Sequence, residues 1–86
     1  MKKTIRLFGI FRTYVPSGEI EIEVPEQAQI KDLRILLSEE FHRKGMQIDD
    51  QLFGESAISS DQEILQDSDR VHLQRVIAVL PPVCGG

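Results

Sequence analysis

The spacing of the apolar residues changes once along this sequence, and that change limits the fold more than any other feature. From Glu19 to Val24, glutamate alternates with isoleucine or valine, a period of two that is typical of a β-strand with one buried face. From Ile30 to Lys44 the apolar residues recur at helical spacing and form a single stripe, which predicts an amphipathic helix. We therefore expect a sheet with one helix packed across it.

An earlier segment shows the same period of two. Apolar residues alternate from Ile5 to Arg12, which predicts a first strand. The segment Val15–Gly18 contains the proline and glycine that are typical of turns. The two alternating segments are therefore predicted to form a hairpin.

The second half of the chain is less regular. Residues 46–60 are predicted as loop with one or two short strands, and residues 71–80 as a last strand with a bulge or extra turn near Gln74 and Arg75. The path between the first and last strands is long enough for a crossover, so we expect these strands to pair in parallel at the centre of the sheet. Pro81 ends the last strand because proline cannot donate to a ladder.

These elements predict an α+β protein with one domain over residues 1–80 and a flexible tail over residues 81–86. The length of 86 residues allows one hydrophobic core. A single cysteine excludes an internal disulfide, and the few histidines show no metal-ligand spacing. No apolar run approaches the ~20 residues that cross a bilayer, so we expect a cytoplasmic protein that contacts no membrane and holds no metal.

The charge is distributed unevenly along the chain. All 14 acidic residues lie within residues 19–69, and the net charge is -4, which argues against nucleic-acid binding. Basic residues lie near both ends of the chain. If the first and last strands are neighbours, four arginines approach one another as a docking face for an acidic partner: Arg6, Arg12, Arg70 and Arg75.

The C-terminus is the most informative segment for function. Two prolines favour an extended backbone, and six residues at ~3.1 Å each reach roughly 19 Å from the domain. Terminal glycines carry no side chain that would block a narrow channel. We expect the tail to enter a partner's active site and present the Gly86 carboxylate there. The residues expected to thread that site are Pro81, Pro82, Val83, Cys84 and Gly85.

An ionised carboxylate, with a pKa near 3.5, is a poor electrophile and must be activated. An ATP-dependent partner can convert Gly86 to an acyl-adenylate, from which a sulfur donor forms a thiocarboxylate. The chain itself then binds no cofactor and supplies no catalytic residue, because the partner enzyme uses the ATP. Cys84 is not expected to take part, since no neighbouring base or helix end lowers the pKa of its thiol.

The tail resembles the Pro-Pro-Val-x-Gly-Gly ending of the MoaD/ThiS sulfur carriers, above all the small subunit of molybdopterin synthase. The helix start at Ile30 and the segment Leu65–Val71 are also similar to that family in order and spacing. The resemblance implies a β-grasp, ubiquitin-like fold with one main helix. It further implies three partners: an adenylating, E1-like enzyme, a sulfur donor protein, and the large synthase subunit, which receives sulfur for molybdopterin synthesis from a Gly86 thiocarboxylate.

Three features depart from the family pattern. Ser68 replaces a glycine between two aspartates, and Gln29 replaces a better helix cap. Residues 71–80 form a longer link to the prolines than is usual. These departures affect how the domain docks rather than the chemistry of the tail.

Partner contact is predicted at Phe8 and Ile10, which the alternation places on the strand face opposite Ile5 and Leu7. Exposed apolar pairs on a sheet often mark an interface. Arg12 and Arg75 complete the predicted interface. His72 is interpreted as a residue on the face of the last strand.

Three other functions remain open from the sequence. A related carrier feeds sulfur to another pathway, such as thiazole synthesis for thiamine. A ubiquitin-like modifier is instead joined to target proteins through Gly86. A plain interaction module would leave the tail idle.

Overall fold

The computed structural model describes residues 1–82. Its elements, in chain order, are β1 (Lys2–Leu7), α1 (Phe11–Tyr14), β2 (Glu19–Glu23), α2 (Ile30–Arg43), α3 (Asp50–Glu55), β3 (Ala57–Ser59) and β4 (Ile77–Leu80). The four strands form one sheet in the order β2-β1-β4-β3. Within the described residues, none of the helices has the length and apolar character needed to cross a membrane.

The sheet is mixed. β1 pairs antiparallel with β2 and parallel with β4, and β3 pairs antiparallel with β4. The predicted hairpin and the predicted parallel pairing of the first and last strands are both confirmed. β1 and β4 can pair in parallel because the chain between them is long and includes α2. A parallel pair needs a crossover connection of this kind.

α2 covers one face of the sheet with the apolar stripe that the sequence predicts. Ile30, Leu33, Leu37 and Phe41 are fully buried, and Leu36 is half-buried. The strand residues buried in the same core are Ile5, Leu7, Ile20, Ile22, Ile58, Ile77 and Val79. Burying one large apolar side chain contributes about 1.5–3 kcal/mol, so this layer is the main source of stability.

The start of α2 is stabilised by tertiary contacts as well as by its own side chains. The Asp32 carboxylate accepts a hydrogen bond from the Gln29 amide at 2.9 Å. The first two helical amides donate to the carbonyl oxygens of Asp69 and Asp67, at 2.9 and 3.1 Å. A distant turn therefore caps the helix where the sequence predicts a weak cap. Ser68 occupies that turn without a positive φ, so the turn does not require glycine.

β1 is shorter than predicted. It ends at Leu7 instead of continuing to Arg12, and Gly9, with a φ of 60°, turns the chain out of the sheet. Phe11 then begins α1 and is fully buried, with its ring stacked on that of Phe53 at 5.0 Å between centroids. The prediction of strand beyond Leu7 is wrong because an aromatic contact with a distant helix competes with continued pairing.

The region after α2 contains a helix that the sequence prediction missed. Residues 46–60 form α3 as well as the short β3. Asp49 caps α3 by accepting a hydrogen bond from the Gln51 amide at 2.9 Å, and Phe53 anchors the helix in the core. Six residues are too few for a clear helical period in the sequence.

The last strand begins later than predicted. β4 covers only Ile77–Leu80, and residues 71–76 form an irregular segment. The Gln74 amide donates to the Val71 carbonyl at 3.0 Å, so a turn lies where the sequence suggests one. Leu73 is 69% exposed. The interpretation of His72 as a strand residue is wrong, because His72 lies in the irregular segment before β4.

Arg34 joins α2 to the segment around α3. Its Nη1 atom donates to the carbonyl oxygens of Phe53 at 2.7 Å and Ser56 at 2.6 Å. Its Nε atom lies 3.0 Å from Oδ1 of Asp67. One side chain therefore satisfies two backbone carbonyls near the end of α3 and also holds the turn that caps α2.

Candidate functional site at the exit of the tail

The tail leaves the domain from the middle of the sheet. β4 ends at Leu80 between β1 and β3, and Pro81 and Pro82 follow as half-buried residues without regular structure. Because β4 pairs with a strand on each side, the position of the backbone is fixed where the tail begins. The other predicted tail residues, Val83, Cys84, Gly85 and Gly86, lie outside the described residues.

Gly9 is the residue against which Pro81, the first residue of the tail, packs. A Cβ atom at this position would lie 2.6 Å from Cγ of Pro81, and the backbone has a φ of 60°. Both conditions favour glycine, because a side chain here would be strained and would also displace the proline ring. The sequence prediction missed this residue, although a glycine that interrupts an apolar alternation is a recognisable signal of close backbone approach.

The predicted contact residues Phe8, Ile10 and Arg12 surround the Gly9 turn. Cζ of Arg12 lies 5.0 Å from the centroid of the half-buried Phe8 ring, and Nε of Arg12 donates to the Leu7 carbonyl at 2.9 Å. Ile10 is 50% exposed. It lies in the turn before α1, so its predicted position on the first strand is wrong.

Arg75 lies apart from this group. It precedes Ile77, which pairs with Ile5, whereas the tail follows the other end of β4, where Val79 pairs with Leu7. Nζ of Lys3 holds the adjacent backbone by donating to the Gln74 carbonyl at 2.7 Å. The structure therefore does not bring Arg75 next to Phe8.

The predicted cluster of four arginines is also not formed. Arg70 pairs with Gln29 in an isolated bridge. Arg75 precedes Ile77, the partner of Ile5, whereas Arg12 donates to the Leu7 carbonyl at the other end of the parallel pair. The parallel pairing of β1 and β4 brings the segments together but leaves these side chains at opposite ends.

The chain matches the ThiS family over residues 5–86. It belongs to the ThiS family. This is the family of ubiquitin-like sulfur carriers, and its members work with activating enzymes and partner subunits. No functionally curated protein shows significant similarity to the chain.

Solved structures share the fold of this ThiS-family chain. SAMP1 from Haloferax volcanii has a TM-score of 0.68 at 18% identity, with 100% of both chains covered. A Pyrococcus furiosus protein provisionally described as molybdopterin converting factor, subunit 1, has a TM-score of 0.67 at 22% identity, with 96% of this chain and 99% of that one covered. The HVO 2177 protein of Haloferax volcanii has a TM-score of 0.66 at 25% identity, with 100% and 87% covered. The predicted β-grasp fold is confirmed.

The sheet face opposite α2 is the broad surface beside the tail of this ThiS-family protein. Its side chains come from alternate strand positions, and those of β1 and β2 are exposed. Opposite charges face each other across these strands, with Arg6 paired in register with Glu19 and Lys2 with Glu23. Ala78 lies next to Arg6 in register.

A cluster of Ser38, His42 and Asp50 lies at the junction of α2 and α3. The Ser38 hydroxyl donates to Oδ1 of Asp50, and Nε2 of His42 lies 2.7 Å from the same oxygen. The Ser38 hydrogen bond, followed by His42, lowers the pKa of the Asp50 carboxyl from its ordinary value of 3.8. The serine proton is directed at the carboxylate and not at the imidazole. This arrangement joins two helices of the ThiS-family domain and does not activate a nucleophile.

Metal ligands do not gather in the described part of the ThiS-family chain. Among residues 1–82, no three side chains of His, Cys, Asp or Glu come together as possible metal ligands.

Proposed function

We propose that this protein is a sulfur carrier whose Gly86 is adenylated and converted to a thiocarboxylate. We further propose that it donates this sulfur in molybdopterin synthesis, as the small subunit of the synthase. The observation that carries the proposal is the tail of residues 81–86 with the sequence PPVCGG, which follows the central strand β4 of a ThiS-family fold.

The proposed activation proceeds in two steps. A Gly86 carboxylate oxygen attacks the α-phosphorus of ATP, which releases pyrophosphate and forms an acyl-adenylate. A sulfide equivalent from the donor protein then attacks the acyl carbon, and AMP leaves with its electron pair. The activating enzyme supplies the ATP site and the catalytic groups, and the carrier supplies only the acyl group.

The contact between Gly9 and Pro81 supports this role, because it fixes where the tail begins. Because Pro81 packs against Gly9, just after the end of β1, the tail leaves the domain from a fixed point. A carboxylate that starts from a fixed origin has a higher effective concentration in a partner's channel than one on a free linker.

The proposed partner contact is formed by Phe8, Ile10 and Arg12, which flank the tail exit. The Phe8 ring and the Arg12 guanidinium present an aromatic and a cationic surface next to each other. An activating enzyme or synthase subunit that accepts the tail must cover this region. Arg75 would be reached only by a partner that extends along the whole of β1.

Intact mass spectrometry tests the proposed activation. The purified protein is incubated with its activating enzyme, ATP and a sulfur donor. We expect the mass of the carrier to increase by the difference between one sulfur and one oxygen atom. A chain that lacks Gly86 should gain no sulfur, and Cys84→Ser should be loaded as the wild type is.

The pathway is tested with the loaded protein. Mixed with the large subunit of molybdopterin synthase and the pterin precursor, it should lose its sulfur and yield molybdopterin. Loss of sulfur only to a thiazole synthase would overturn the molybdopterin assignment. Appearance of the chain in covalent conjugates, without any sulfur loading, would overturn the carrier proposal itself.

A further inference from the structure

The free edge of β2 has a defined hydrogen-bonding register. β2 is the outermost strand on one side of the sheet. Met1 and Val24 exchange both backbone hydrogen bonds, at 2.9 and 2.8 Å, and the Leu7 amide donates to the Gly18 carbonyl at 2.8 Å. Because such pairs alternate along an antiparallel ladder, the even-numbered residues of β2 point their backbone groups at β1.

The odd-numbered residues of β2 therefore point their backbone groups outward. These residues are Glu19, Glu21 and Glu23. At Glu19 the Ser17 hydroxyl occupies both groups, by donating to the carbonyl at 3.2 Å and accepting from the amide at 3.4 Å. The amide and carbonyl of Glu21 and of Glu23 have no such partner within residues 1–82, and they leave four open positions for another strand.

A groove of about 570 Å³ runs along this edge. Its wall on the core side includes Tyr14, Val15 and Met46, which are half-buried and pack against the core. The glutamate side chains of β2 lie on the other side of the edge, facing the open surface of the sheet. Lys44 also lines the groove, with its Nζ atom 3.9 Å from Oε2 of Glu40. A strand laid in the groove would therefore place alternate side chains beside apolar residues on one face and beside the β2 glutamates on the other.

Glu21 gives the acidic side its specificity. Glu23 already lies 3.2 Å from the N-terminal ammonium, and Lys2 faces it in register. Glu21 instead faces Thr4 and forms no ion pair among the described residues. A cation beside Glu21 would complete the charge pattern of this strand.

We propose that the β2 edge binds an extended segment of a partner protein in which basic and apolar residues alternate. The segment adds a strand to the sheet through the open groups of Glu21 and Glu23. A lysine or arginine of the segment lies beside Glu21, and its apolar neighbours contact Tyr14 and Met46. Ser17 ends the site at the side of Glu19.

Charge decides between this occupant and a second copy of the chain. Two β2 strands placed side by side would set glutamates opposite glutamates on the same face, and like charges directly opposite are destabilising. The site is also independent of the tail, because β1 lies between β2 and β4. It can recruit a partner while the tail occupies an active site.

Nuclear magnetic resonance tests the proposal with a defined probe. The full chain is titrated with the acetylated peptide Val-Lys-Val-Lys-Val and, separately, with the scrambled peptide Val-Val-Val-Lys-Lys. We expect the alternating peptide to shift the resonances of β2 and Met46. It should also slow amide hydrogen exchange at Glu21 and Glu23. Equal binding of the scrambled peptide, or unchanged exchange at these amides, would overturn the proposal.

Variants at Glu21 separate strand pairing from general attraction of charge. Glu21→Pro removes an outward amide that β1 does not use, and Glu21→Lys reverses the charge. Each should weaken binding of the alternating peptide by about tenfold. Glu39→Lys, on the exposed side of α2, makes the same change in net charge as Glu21→Lys. It should leave binding of the alternating peptide unchanged. Equal weakening by Glu39→Lys, or self-association of the free chain through β2, would contradict the inference.

Discussion

At the scale of single residues, Gly9 is the position where backbone conformation and function meet. Its positive φ ends β1, and its missing side chain leaves room for the Pro81 ring. Gly45 also has a positive φ, of 86°, but a Cβ atom there would have no neighbour within 4 Å. The two glycines therefore separate the effect of backbone strain from the effect of a collision with the tail.

Gly9→Ala should destabilise the domain more than Gly45→Ala. Backbone strain alone costs about 1–3 kcal/mol, and only Gly9→Ala adds the collision with Pro81. The excess should largely disappear in a Pro81→Ala background, giving a coupling of about 0.5–3 kcal/mol. Urea denaturation of the four chains of this cycle, beside Gly45→Ala, measures it. Equal losses for both glycines would show that Pro81 does not rest on Gly9 in solution.

At the scale of elements, the contact between α2 and α3 decides how the helical layer is built. Arg34, with 18% of its side chain exposed, donates to two backbone carbonyls near the end of α3. The aromatic rings of Phe11, Phe41 and Phe53 contact one another in the core, with centroids 5.0 to 6.3 Å apart. The short helices α1 and α3 are stabilised because each contributes one ring to this cluster, Phe11 from α1 and Phe53 from α3.

Arg34→Met should destabilise the domain by about 2 kcal/mol, since the carbonyls of Phe53 and Ser56 lose a charged donor. Arg43→Ala is the matched control, because its ion pair with Glu40 involves an arginine side chain that is 71% exposed. Exposed pairs of this kind contribute at most about 1 kcal/mol. Chemical denaturation compares the two variants. A loss for Arg43→Ala as large as that for Arg34→Met would contradict the assigned role of Arg34.

At the scale of the whole molecule, the sheet order separates two surfaces. The tail follows β4, and the open edge belongs to β2, with β1 between them. Among residues 1–82, the buried core residues lie between Ile5 and Val79, before the tail. Loss of the tail should therefore remove one function and leave the fold and the other surface intact.

A chain truncated after Pro82 tests this separation. Its free energy of unfolding should remain within about 0.5 kcal/mol of the full chain, since surface ends contribute little. It should still bind the alternating peptide at β2 but should gain no sulfur from the activating enzyme. Denaturation, peptide titration and intact mass are measured on the same preparation. A large loss of stability would mean that the tail belongs to the folded domain.

Much of the architecture follows from local patterns in the sequence. The alternation in residues 19–24 and the helical stripe from Ile30 to Phe41 each fix which face is buried, because one wrong register would expose the whole apolar set. The parallel pairing of the first and last strands follows from the length of the crossover between them. The tail and its proposed chemistry were inferred from residue types alone.

The sequence by itself determined the buried face of each long element and the character of the tail. Tertiary structure alone decided where β1 ends and where β4 begins, that residues 50–55 are helical, and that Arg75 lies apart from Phe8. Each of these depends on a contact between residues far apart in the chain, such as Phe11 with Phe53 or Gly9 with Pro81. Local periodicity carries no information about such contacts, because their energy exists only once the sheet has brought the partners together.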